Sequence, residues 1–275
     1  MADPRDPAAL DDRVALLRSL ADEAGALCLD RFRRGNLAIE LKPDASPVTE
    51  ADRACERLLR ERILAAFPDD GLLGEELGAR PAASGFTWIL DPIDGTVSFS
   101  RGVPLFGTLI AIEHAGGDGP HVVAGACELP AMGERLWAAE GRGAWWERSG
   151  REPVRARVSP VARLADALVG TTGHEYFRRA GSLATLDRLE LAAGRMRGWS
   201  DCYALALAAT GRCDAVVEPW MNPWDSGPFP VIFAEAGGVF TDWNGRSDLR
   251  SRTAVAANPL LHRELLSLLG TSVSS

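Results

Sequence analysis

The segment Trp88-Ile-Leu-Asp-Pro-Ile-Asp-Gly-Thr96 constrains this chain more than any other. Its apolar start reads as a strand that delivers Asp91 at its end. Pro92 has no N–H to give a ladder, so regular pairing must stop there. Asp94 follows, and Gly95-Thr96 permits a tight turn. Asp91 and Asp94 can then converge on one spot. Two carboxylates a few ångströms apart repel, and the usual remedy is a divalent cation. The backbone N–H groups of Gly95 and Thr96 would open the next helical turn, a setting that suits a phosphate. Taken alone, the same residues also read as a plain β-turn with Asp at its corners.

The period of the apolar residues changes along the chain. From Leu10 to Phe32 they recur at three- and four-residue spacing, which predicts a helix that Gly35 ends. A second helix is predicted after Thr49, with Thr49 and Asp52 as a capping box, and Pro68 after its end. Phe86–Leu90, Leu105–Ile112, Val122–Cys127 and Leu136–Ala139 are short apolar runs bounded by Gly and Pro, and read as strands. Residues 141–161 form a hinge or a hairpin. Strand and helix patterns then alternate. Strands are expected at Leu168–Thr171, Ala215–Glu218, Gly238–Thr241 and Thr253–Ala256. Helices are expected at Glu175–Ala193, Tyr203–Thr210, Pro228–Ala236 and Leu260–Leu269. That alternation means α/β layers. The expected division is an N-terminal α+β domain over 1–150 and a C-terminal α/β domain over 151–275.

Composition narrows the function. The chain has 275 residues, 46% hydrophobic and 25% charged, which is ordinary for a globular protein. The formal net charge of -8 disfavours nucleic acid as a partner. No apolar run approaches the ~20 residues of a membrane span. Met1–Asp6 lacks the basic and apolar regions of a signal peptide. The 5 cysteines are scattered without a CxxC pair, so neither disulfides nor a zinc site is expected. These features together predict a cytoplasmic protein. Lys42 is the only lysine, and it reads as part of a loop or as a plain surface residue.

Three more segments bear on the site. Gly74-Glu75-Glu76 follows the apolar pair Leu72-Leu73, though paired Glu are often a solvated face. Pro223-Trp-Asp225-Ser-Gly227 sets an acid between Trp224 and small residues, where it could also cap the next helix. Lys42-Pro-Asp-Ala-Ser-Pro-Val-Thr-Glu-Ala-Asp52 runs as a polar loop into a capped helix. In this order and spacing, Gly-Glu-Glu, Asp-Pro-Ile-Asp-Gly-Thr, Trp-Asp and the Lys42–Asp52 loop resemble the inositol monophosphatase superfamily of metal-dependent phosphatases. The resemblance covers roughly residues 10–265.

The resemblance implies an αβαβα sandwich, a homodimer, and hydrolysis of a small phosphate monoester by a water activated on two or three Mg²⁺. Glu75, Asp91 and the Ile93 carbonyl would hold the first ion. Asp91, Asp94 and Asp225 would hold the second, and Glu75 a weaker third. Thr96 and Glu75 would orient the water, and Asp52 would support Thr96. Gly95 and Thr96 would bind phosphate. An all-oxygen ligand set suits Mg²⁺ rather than Zn²⁺.

The branch most resembled is that of the histidinol-phosphate phosphatases. The stretches that carry this are Asp94–Thr108, Trp199-Ser-Asp-Cys-Tyr203, Glu218–Asp225 and Glu235–Trp243. Histidinol phosphate bears an amine and an imidazole, and Asp201 and Glu218 would attract both. Asp201 could equally cap the helix near Tyr203. Arg197 and Trp199 are expected to line the same pocket, and His174 to be an ordinary loop residue. The alternatives are an inositol-1-phosphate or broad sugar-phosphate phosphatase, and a non-catalytic binding protein on the same scaffold. Val97-Ser98 departs from the Thr-Asn or Lys-Asn of many relatives, on the leaving-group side of the pocket.

Overall fold

The computed structural model describes residues 7–34, 39–41, 47–116 and 119–270. Gly35, Lys42 and most of the 36–47 loop lie outside these. In chain order the elements begin with α1 (Pro7–Arg34), β1 (Ile39–Leu41), β2 (Pro47–Thr49) and α2 (Glu50–Ala66). Next come β3 (Gly71–Gly74), β4 (Gly78–Arg80), β5 (Phe86–Asp94), α3 (Thr96–Ser100), β6 (Gly107–Gly116) and β7 (Gly119–Leu129). Then follow β8 (Glu134–Ala139), β9 (Gly143–Arg148), β10 (Arg151–Arg155), β11 (Leu168–Thr171), α4 (His174–Arg179) and α5 (Leu183–Ala192). The chain continues with β12 (Arg195–Gly198), α6 (Asp201–Ala209), β13 (Ala215–Glu218), α7 (Pro223–Ser226) and α8 (Phe229–Glu235). It closes with β14 (Val239–Thr241), β15 (Ala254–Ala257) and α9 (Pro259–Gly270).

Eight strands form one sheet in the order β10-β9-β8-β7-β6-β5-β3-β4, and five form another in the order β12-β11-β13-β15-β14. Alternation along the large sheet sorts its side chains to two faces. Trp88, Leu90, Ile110, Ile112 and Ala124 pack under α1 and α2, through Leu17, Leu20, Leu59 and Ile63. Ile89, Leu109 and Ala111 face the other way, onto α6 and α8. Val216, Ala254 and Ala256 of the small sheet join that same middle core. The outer face of the small sheet, with Val169, Ala215 and Val255, is covered by Leu186 and Leu189 of α5 and Leu261 and Leu265 of α9. The layers are therefore α1/α2, large sheet, α6/α8, small sheet, α5/α9, the expected αβαβα order.

Four elements repay comparison with the pattern. Residues 143–155 are a hairpin, β9–β10, not a hinge. The long helix expected over 175–193 is two helices. Gly181 takes φ +67, and Ser182 N–H donates to the Phe177 carbonyl at 2.8 Å, a left-handed stop between α4 and α5. The strand β12 was not anticipated: Arg195-Met-Arg-Gly198 has no apolar alternation because it is an exposed edge. The capping box is present, with Thr49 N–H donating to Asp52 at 2.8 Å. No described helix is long and apolar enough to cross a membrane.

Candidate active site

Pro92 shapes the site as its chemistry requires. β5 pairs with β6 as far as Asp91↔Leu109, then resumes at Asp94↔Gly107, so two residues oppose one. Thr108 fills the missing rung by donating its hydroxyl to the Pro92 carbonyl at 2.8 Å. The parallel neighbour β3 ends one residue before Glu75, whose N–H donates to the Leu90 carbonyl at 3.2 Å. Buried Glu56 of α2 holds the next turn, accepting from Glu76 N–H at 2.7 Å and Leu77 N–H at 3.2 Å. Asp225 reaches the same place from α7, where it accepts from Asn222 N–H at 2.7 Å and closes a capping box. It caps α7 itself and not the following helix.

Ligand atoms of Asp91, Asp94 and Asp225 all lie within 4.8 Å of one another. They open into a cavity of about 740 Å³ that Glu75, Ile93, Gly95 and Thr96 also line. Thr96 Oγ1 donates to the Ile93 carbonyl at 3.0 Å and faces Asp52 Oδ1 at 3.4 Å. Gly95 takes φ +85, and a Cβ there would fall 2.8 Å from the Leu105 carbonyl. Only glycine allows this turn.

The electrostatics are those of acids crowded together out of water. Burial, then the Glu75, Asp94 and Asp225 carboxylates, raises the Asp91 carboxyl well above its ordinary range. Burial, then Asp201 and Asp225, does the same to Asp94. Burial pushes Asp225 up to about 7. Among the described residues, Asp91 Oδ1 is buried with no hydrogen-bond partner, and so is Trp224 Nε1 beside Asp225. A buried unpartnered carboxylate oxygen among other carboxylates fits a hard divalent cation, as does a donor set of oxygens only.

Asp201 and Glu218 also line the cavity. Glu218 is 2% exposed, accepts from Thr172 N–H at 2.6 Å, and is pushed up to about 8 by burial. Asp201 is the first residue of α6, and it does not cap that helix. Asp94 does so instead, accepting from Cys202 N–H at 2.5 Å. The carboxylate of Asp201 is thereby left for the cavity, where Oδ2 would lie 3.1 Å from a Cβ at Gly95.

Arg197 is not in this site. It is exposed on the edge strand β12 and donates to the Met196 carbonyl, where its charge protects an open sheet edge. Trp199 packs against the middle core and His174 is exposed. Among the described residues, the cations that line the cavity are Arg179 and Arg252, together with Tyr176 and Trp220. Arg252 stacks over Trp220 at 4.8 Å and donates to Asn222 at 2.8 Å. No spacing signals them, because they come from α4 and from the loop before β15.

Comparison with known proteins gives the same answer. The model of the inositol monophosphatase family matches residues 10–274. The chain belongs to that family. A histidinol-phosphatase of Chlorobaculum parvum is 43% identical over 258 residues, covering 94% of this chain and 96% of that protein. One from Streptomyces coelicolor is 40% identical over 264 residues, 96% of this chain and 98% of that one. Among solved structures, an inositol monophosphatase from Zymomonas mobilis superposes with a TM-score of 0.82 at 33% identity, covering 96% and 99% of the two chains. The resemblance read from the four motifs is thus borne out, with the phosphoric monoester hydrolase class it implied.

Proposed function

We propose that this chain hydrolyses L-histidinol phosphate to L-histidinol and inorganic phosphate with Mg²⁺ as cofactor. The observation that carries the substrate is the placement of Asp201 beside Gly95. In L-histidinol phosphate the amine sits on the carbon next to the one that bears the ester. An ammonium must therefore lie close to the bound phosphate, where Asp201 stands. Glu218, a second acid lining the cavity, suits the imidazole, which gains a proton readily next to an acid. Relatives named for this activity match nearly the full chain at 40–43% identity.

In this reading Glu75, Asp91, Asp94, Asp225 and the Ile93 carbonyl hold the metal. When bound, Mg²⁺ supplies charge neutralisation for the phosphoryl oxygens and acidifies a water. The chain does the rest. Gly95 and Thr96 N–H groups bind phosphate oxygens. Thr96 Oγ1, fixed by the Ile93 carbonyl and Asp52, orients the nucleophilic water together with Glu75. Asp201 and Glu218 orient the alcohol side. A homodimer is the expected working form, as the family implies.

A second reading, an inositol-1-phosphate phosphatase, is favoured by the likeness to the Zymomonas mobilis enzyme. Phosphate release from L-histidinol phosphate and inositol-1-phosphate, side by side with Mg²⁺, separates the two. We expect a preference for the amine-bearing ester of about tenfold or more, with both activities lost in Asp94→Asn. Preference for the inositol ester would sink the role of Asp201 and leave the metal reading standing.

A further inference from the structure

Two adjacent non-glycine residues in the described chain take positive φ, and both stand at the site. Ser200 has φ 57 and Asp201 has φ 43. Such conformations are costly and persist only where the surroundings enforce them. Two hydrogen bonds enforce them here. Asp201 N–H donates to Thr172 Oγ1 at 3.2 Å, and Cys202 N–H donates to Asp94 at 2.5 Å. Their combined effect is to aim the Asp201 carboxylate back over Gly95.

The hydroxyls then complete the arrangement. Ser200 Oγ donates its one proton to Asp201 Oδ2. Ser98 Oγ lies 3.1 Å from Ser200 Oγ. Since the Ser200 proton is committed to the carboxylate, Ser98 must be the donor in that pair. The chain of donation runs Ser98 to Ser200 to Asp201, and each link polarises the next. Ser98 sits on α3, which begins directly after the phosphate-binding turn.

We propose that Ser98 and Ser200 are positioning residues that set the Asp201 carboxylate against the phosphate turn, and so set the preference for an ester whose alcohol carries an ammonium. This rests on the reading of Asp201 given above. Without the two hydroxyls, Oδ2 loses its donor and the side chain is free to turn from the ammonium. The phosphate end of the site keeps all its groups. Discrimination between alcohols should therefore fall more than phosphate recognition does.

The decisive variant is Ser200→Gly. Glycine adopts the left-handed backbone without strain, so this change removes the hydroxyl while favouring the fold. The readout is the ratio of kcat/KM for L-histidinol phosphate to that for inositol-1-phosphate. A second readout is the pair of inhibition constants for L-histidinol and for inorganic phosphate. We expect Ser200→Gly to keep or raise the Tm while lowering the ratio about tenfold. Ser98→Ala should lower it about threefold, with Ser98→Thr restoring it. L-histidinol inhibition should weaken by the same factors and phosphate inhibition should stay within about twofold. If Asp201→Asn collapses the ratio while Ser200→Gly leaves it within about twofold of wild type, the hydroxyl chain is wrong and the ammonium reading stands. If Asp201→Asn also leaves the ratio unchanged, the ammonium reading fails and this inference falls with it.

Discussion

Asp70 and Asp91 are two buried aspartates on neighbouring segments of the large sheet's end, each 1% exposed, with opposite surroundings. Asp70 precedes β3 and is fully partnered. It accepts from Arg13 Nε at 2.8 Å and Nη2 at 2.7 Å, from Ser84 Oγ at 2.6 Å and from Trp88 Nε1 at 2.8 Å. Arg13 itself stacks on Phe67 and Phe86. Asp91, on the neighbouring strand, faces Glu75, Asp94 and Asp225, and its Oδ1 has no hydrogen-bond partner among the described residues. A buried charge tolerated by the fold brings its counter-charge in the chain. A buried cluster of one sign, built by caps and a bulge, is shaped for a counter-charge from outside.

The contrast is broken first by exchanging the two outcomes. Asp91→Asn should cost several kcal/mol of transition-state stabilisation, about a thousandfold or more in kcat/KM. It should also raise the Tm of the metal-free protein, because it removes one charge from the repelling set. Asp70→Ala should do the reverse. It strands Arg13 in the core and should cost about 3–5 kcal/mol of stability, while activity per folded molecule is kept. Initial rates and denaturant melts on both variants read this directly. An Asp91→Asn protein that melts lower than wild type in chelator would refute the reading of that cluster.

The cluster also fixes a pH dependence. Asp225 is pushed to about 7 and Glu218 to about 8, from unfolded values near the ordinary carboxyl range, and Asp91, Asp94 and Asp201 shift the same way. Groups raised in the folded state contribute stability that is whole below the unfolded pKa and is lost as pH rises through the folded one. Metal-free protein should therefore melt at lower temperature at pH 8 than at pH 5. Mg²⁺ must displace those protons, so its affinity should climb over the same interval. At about 100 times its Kd, Mg²⁺ should restore about 2.7 kcal/mol, roughly 5 °C in Tm at pH 8. Calorimetric scans at the two pH values, with chelator and with Mg²⁺, test the sign. An equal chelator Tm at both would mean that the acids do not oppose one another.

Much of this was legible in the residues, for identifiable reasons. Asp91, Asp94, Gly95 and Thr96 are contiguous, and Pro92 forces the bulge that unites them. Asp225 and Glu75 are distant in the chain but carry local signatures of their own. The cap at Thr49 is a matter of three residues, and it formed. What failed depends on tertiary placement. The break at Gly181 hides in an unbroken helical pattern. Arg179 and Arg252 enter the cavity from unrelated segments with no spacing between them to detect. Asp201 reads in sequence either as an acid of the pocket or as a helix cap, and the choice is legible only in the structure, where Asp94 takes the cap and Asp201 lines the cavity.

Arg197 marks the boundary of sequence reading and carries the smallest effect. Its neighbours Trp199 and Asp201 suggested the pocket. In a strand, however, side chains alternate between faces, and β12 ends at Gly198 before the chain turns toward the cavity. Arg197 is thus exposed on an edge and donates to the adjacent Met196 carbonyl. Arg197→Ala should leave kcat/KM for L-histidinol phosphate within about twofold, and stability within about 0.5 kcal/mol. Its consequence should lie in association, since the exposed edge loses one of the two arginines that guard it. Light scattering during a slow thermal ramp would show earlier aggregation. A large loss in kcat/KM would instead place Arg197 in the substrate path, and would mean that β12 moves when the site is filled.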